Sequence, residues 1–107
     1  MDRTELSEIY RAFTLTPAPS GYESRMAQAL SAQFGRFTDD VRIDRVGNVI
    51  ATFPGTDPNA PKVMAFSHMD SLGFIVRRID DDGFIRVDRL GGIPEKVLPA
   101  KPVLICR

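Results

Sequence analysis

The sequence predicts an α/β protein in which two N-terminal helices and a mixed sheet give way, from about Gly73, to an all-β element. Three observations predict it. Apolar residues recur at helical spacing as far as Phe37. A short run that is apolar on both faces lies at Lys62 to Phe66. Two strand-like runs then flank a DDG turn.

The first helix is read from "DRTELSEIYRAF", where Leu6, Ile9, Tyr10 and Phe13 form one apolar stripe. Asp2 and Glu5 have the spacing of a capping box, and "TPAP" ends the helix. Ser20 and Glu23 repeat that spacing, so Ser20 is read as the cap of a second helix. Its predicted inner face is Tyr22, Met26, Leu30, Phe34 and Phe37.

Strands follow. "VRID" and "NVIATF" flank Gly47 and Asn48, which have hairpin-turn chemistry. Pro54 to Pro61 is a surface loop by composition. "KVMAF" is predicted to be a central strand, because both of its faces are apolar. Beyond Gly73, "FIVRRID" and "FIRVDRL" predict a hairpin, "GGIPEKVLPAKP" is turn-rich, and "VLICR" reads as a further strand. With nothing after it to pair with, that last run suggests the N-terminal part of a longer protein; the alternative is a short C-terminal edge strand.

Composition narrows the function. The 107 residues suit one small domain or part of one. A chain of that size can bury roughly two-thirds of its unfolded surface, so a core is expected. Fourteen basic residues balance fourteen acidic ones with no basic block, which disfavours nucleic acid and anionic membrane as partners. The polar N-terminus lacks the apolar stretch of a signal peptide, and no run reaches transmembrane length; a cytoplasmic protein is expected. Cys106 is the only cysteine, which rules out a disulfide within these residues and is read as a small packed hydrophobe.

His68 is the only histidine. It lies just past the carboxyl end of the predicted Lys62–Phe66 strand, where open α/β sheets receive ligands. In "HMD" a spacing of two places His68 and Asp70 on the same side of an extended backbone. A carboxylate there can accept the second ring N–H of a metal-bound imidazole and fix its tautomer. The same three residues also fit a structural histidine at a strand end.

Other candidates have simpler readings. Asp80, Asp81 and Asp82 are contiguous, unlike the alternating ligands of a calcium loop, and sit where turn residues are expected. Ser67 has no base at a recognisable spacing. Phe34, Phe37, Phe66, Phe74 and Phe84 are read as core residues, with Phe74, Ile75 and Val76 alternatively forming a subunit contact.

"SGYE", "DRVGNVIA", "HMDSLGFIV" and "LGGIP" occur in that order, and together they resemble the N-terminal part of the M42 metallo-aminopeptidases. The likeness runs from about Leu15 to Ile105. It implies a zinc-peptidase-like mixed α/β sheet domain over residues 1–72 and, over residues 73–107, the start of an inserted β-barrel used in oligomer assembly. It also implies removal of N-terminal residues from short peptides by a homo-oligomer carrying two divalent metal ions, zinc or cobalt. On that pattern His68 is a metal ligand, and Asp70 is the catalytic-site aspartate that supports it. Where the family has an acidic residue and an isoleucine next, this chain has Ser71 and Leu72. The remaining ligands and the general base come, in the family, from later segments that these residues do not include. A module that keeps the scaffold for binding or assembly without catalysis is the alternative.

Overall fold

A computed structural model describes residues 1–106. Helix α1 spans Arg3–Leu15 and starts as its sequence predicts: the Asp2 carboxylate accepts the Glu5 N–H at 2.8 Å. It ends at Thr16, ahead of the prolines. Helix α2 spans Ser24–Phe34, later than the Ser20 cap predicts. Glu23 occupies the cap position, and the Ser20 hydroxyl bonds elsewhere.

Strands β1 (Val41–Ile43) and β2 (Val49–Ala51) pair antiparallel, with Ile43 opposite Val49. Asp44 builds their turn. Its Oδ1 accepts the N–H groups of Val46 and Asn48 at 3.0 and 2.9 Å, and its Oδ2 accepts the Asn48 side-chain amide at 2.8 Å. Gly47 lies at φ +94°, a conformation that suits glycine. Phe34 of α2 meets Phe53, just beyond β2, edge to face at 6.1 Å. α1 is tied to the end of α2 by the Glu5–Arg36 ion pair.

Strands β3 (Gly73–Ile79) and β4 (Ile85–Leu90) form the second hairpin, turning through Asp80 to Gly83. A bulge between Val76 and Arg78 resets the side-chain alternation. Val76 and Ile79 therefore share a face with their partners Val87 and Ile85. Asp80 accepts from the Nε groups of Arg78 and Arg86 at 2.7 and 2.6 Å, so the acidic tip serves the hairpin itself. A short 3-10 helix follows at Glu95–Val97.

Several expectations are corrected. Among the described residues there is no mixed sheet, only two separate antiparallel pairs and one parallel bridge between Pro19 and Ser71. Lys62–Phe66 and residues 103–106 form no strand. Val63, Met64 and Phe66 stand 82–91% exposed, since no neighbouring strand is available to pair with this doubly apolar run. Tyr22, Phe37 and Phe84 are also exposed, and Cys106 is exposed instead of packed. Only Ala18, Met26 and Ala27 are buried hydrophobics among the described residues. Among the described residues the expected core is thus reduced to these three. The radius of gyration, 18.2 Å, exceeds the roughly 13 Å of a compact 100-residue domain.

Candidate functional site

A close junction joins the loop between α1 and α2 to the start of β3. The Ser71 N–H donates to the Ala18 carbonyl at 2.7 Å, and Ala18 is fully buried. Gly73 sits so close to Pro19 that a Cβ there would lie 3.0 Å from the proline Cβ. These contacts bring residues fifty positions apart in sequence together at Asp70.

His68 projects into solvent, with its side chain 84% exposed. Its Nδ1 lies 2.9 Å from Asp70 Oδ1 and 3.1 Å from the Asp70 carbonyl oxygen. A second bond reaches Asp70 from the other side, as the Ser20 hydroxyl donates to Oδ2 at 2.5 Å. The Ser20 hydroxyl, and after it the His68 ring, hold the Asp70 carboxyl below the usual aspartate range. Asp70 is therefore an anion at neutral pH and can only accept. Both atoms facing Nδ1 are acceptors, so Nδ1 carries the proton. The lone pair of neutral His68 lies on Nε2, which points away from Asp70 and is accessible.

An open cleft of about 190 Å³ adjoins the pair. His68 and Asp70 line it together with Glu23, Gly47 and Asn48. The β1–β2 turn is thus a wall of the cleft as well as a hairpin device. Glu23 accepts the Gly21 N–H at 2.7 Å. Sequence reasoning missed Ser20 and Glu23 as site residues because the capping spacing explained them locally. The contact that reassigns Ser20 spans fifty residues and has no local signature.

The site fits one ligand position for a divalent metal. A neutral imidazole with its tautomer fixed by a carboxylate is the usual form of a liganding histidine. Among the described residues no group of three or more His, Cys, Asp or Glu side chains converges to complete a metal shell.

Comparison with known proteins bears on the family of the chain. The model of the M42 glutamyl aminopeptidase family matches residues 47–107, which include His68 and Asp70. Lysyl aminopeptidase of Pyrococcus furiosus is 41% identical over 96 residues, covering 88% of this chain and 27% of that protein. Glutamyl aminopeptidase of Lactococcus lactis is 35% identical over 88 residues, covering 82% of this chain and 25% of that protein. Among solved structures, a TET aminopeptidase from a marine sediment archaeon of the Thaumarchaeota matches with TM-score 0.80 at 27% identity, over 89% of this chain and 26% of its own. The chain belongs to the M42 glutamyl aminopeptidase family. It spans only 25–27% of the length of these curated relatives.

Proposed function

We propose that this chain is the N-terminal part of a cytoplasmic metallo-aminopeptidase that removes N-terminal residues from short peptides. The observation that carries the reading is the His68–Asp70 pair, whose Nδ1 contacts leave Nε2 free as a ligand atom. His68 holds one divalent cation through Nε2, and Asp70 holds the His68 ring. Two such ions, zinc or cobalt, supply Lewis acidity and an activated water to peptide hydrolysis. One ligand cannot retain two ions, so the 107 residues alone are expected to be inactive.

Residues 1–72 belong, on this reading, to the catalytic domain, and β3 and β4 open an inserted β-barrel that mediates homo-oligomer assembly. The apolar face of Val76, Ile79, Ile85 and Val87 supports it: these side chains are 43–64% exposed, and a lone two-stranded hairpin needs such a face covered. No helix among the described residues is long and apolar enough to cross a membrane.

The test is metal analysis of the full gene product, beside its His68→Ala variant, with aminopeptidase activity measured on short peptides. Two bound ions with a loss in the variant are expected. Unchanged metal content in His68→Ala refutes the ligand assignment. A product that binds no metal and cleaves no peptide would instead be a scaffold retained for assembly.

A further inference from the structure

Ser20 has no role in the reading above, yet its hydroxyl makes a side-chain bond that reaches across fifty residues into the site. A helix cap is excluded, since α2 begins at Ser24 with Glu23 before it. Docking of the loop does not require the hydroxyl either. The Ala18–Ser71 backbone bond, the Pro19–Ser71 bridge and the close approach of Gly73 to Pro19 already join the two segments. What the hydroxyl adds is direction.

The torsion that aims an aspartate carboxylate is broad, with no sharp staggered wells. Left alone, the Asp70 carboxylate can turn away from the histidine. Ser20 stands on a rigid base: it follows Pro19, whose φ is fixed by its ring, inside a turn closed by the Tyr22 N–H on the Pro19 carbonyl at 2.8 Å. From its place as the second residue of that Pro19–Tyr22 turn it holds Oδ2 at 2.5 Å, while Oδ1 meets His68 Nδ1 at 2.9 Å.

We propose that Ser20 is a positioning residue: by donating to Asp70 Oδ2 it turns Oδ1 onto His68 Nδ1 and so keeps the His68 lone pair on Nε2. The inference rests on the reading of His68 as a ligand and Asp70 as its support. The side-chain partner of Ser20 is the Asp70 carboxylate. Ser20 acts through Asp70, as outer partners orient the groups that hold a metal.

The test is the tautomer of His68, read by nitrogen NMR on the full gene product labelled with 15N-histidine, after metal removal by chelation and at a pH where imidazole is neutral. The His68 signal is assigned by its loss in His68→Ala. In the wild type Nδ1 is expected to carry the proton. In Ser20→Ala the Nδ1–H population should fall severalfold in favour of Nε2–H, and Ser20→Thr, which restores a hydroxyl, should return it. Asp70→Ala should weaken the preference at least as far, since only the Asp70 backbone carbonyl is then left to hold Nδ1–H. A wild-type tautomer in Ser20→Ala, with the preference weakened in Asp70→Ala, overturns the role of Ser20 and leaves the His68–Asp70 pair standing. A wild-type tautomer in Asp70→Ala as well means that the carboxylate does not set the tautomer, and the support that Asp70 gives His68 is wrong. Should Ser20→Ala fail to fold, Ser20→Cys, close in volume but a weak donor, carries the same expectation at smaller amplitude.

Discussion

His68 Nδ1 lies 2.9 Å from Asp70 Oδ1, and the Asp70 carbonyl receives the same ring nitrogen at 3.1 Å. Two acceptors on one nitrogen decide the tautomer, and the side-chain acceptor is the one a mutation can remove. In the full gene product, Asp70→Ala is expected to lower zinc affinity roughly 10–100-fold, the usual cost of losing a carboxylate behind a liganding histidine. Asp70→Asn keeps an acceptor oxygen and should lose less. Competition titration against a chelator measures both, and equal affinity in all three proteins contradicts the pairing.

Gly73 approaches Pro19 too closely for a side chain. An added Cβ would meet the proline Cβ at 3.0 Å, and a proline ring cannot swing aside. Gly73→Ala should therefore separate the two segments and cost about 1–3 kcal/mol, as overpacking does. Urea unfolding gives the cost. Faster hydrogen exchange at the Ser71 amide, which donates to Ala18, would locate it.

Met26 is one of three buried hydrophobics among the described residues. Met26→Ala is expected to cost about 2 kcal/mol, the low end for methionine truncation, because a thin core collapses around the gap. Thermal denaturation should show a lowered midpoint. Tyr10→Ala, at a position 73% exposed, should leave it nearly unchanged.

The β1–β2 turn is expected to be acid-sensitive. The Asn48 side chain, aided by backbone N–H groups of Asn48, Val46 and Gly47, holds the Asp44 carboxyl below its usual range. A carboxyl depressed in the folded state stabilises that state above its unfolded pKa, about 3.9 for aspartate, and the benefit is lost as pH falls through the lower folded value. Amide shifts of Val46 and Asn48 should therefore hold steady down to about pH 4 and move together below it. Asp44→Ala should remove the transition.

The bulge beside Arg77 gathers Val76, Ile79, Ile85 and Val87 onto one exposed face. If that face is covered by assembly, Val87→Lys should shift the full gene product to smaller species in sedimentation velocity. Arg86→Lys, on the opposite face, should not.

Much of the local structure was legible because local chemistry decides it. Asp2 caps α1, Gly47 with Asn48 marks the first turn, and the DDG run marks the second. The bulge at Arg77 was not legible, since nothing in "FIVRRID" distinguishes a regular alternation from one reset by a residue. The run at Lys62–Phe66 was misread for a different reason. Its apolar faces report a burial that neighbours must supply, and the described residues hold no strand to supply it.

The site divides in the same way. By itself the sequence determined that His68 and Asp70 are two apart on extended backbone, and four ordered motifs tied them to a peptidase family that the comparisons then showed. Tertiary structure alone decided what Ser20 does. The capping pattern accounted for it through residues three apart, but a hydroxyl can make its bond wherever the chain carries an acceptor within reach. The loop at Ala18 to Ser20 docks beside Ser71, and that docking put the acceptor fifty residues away, on Asp70.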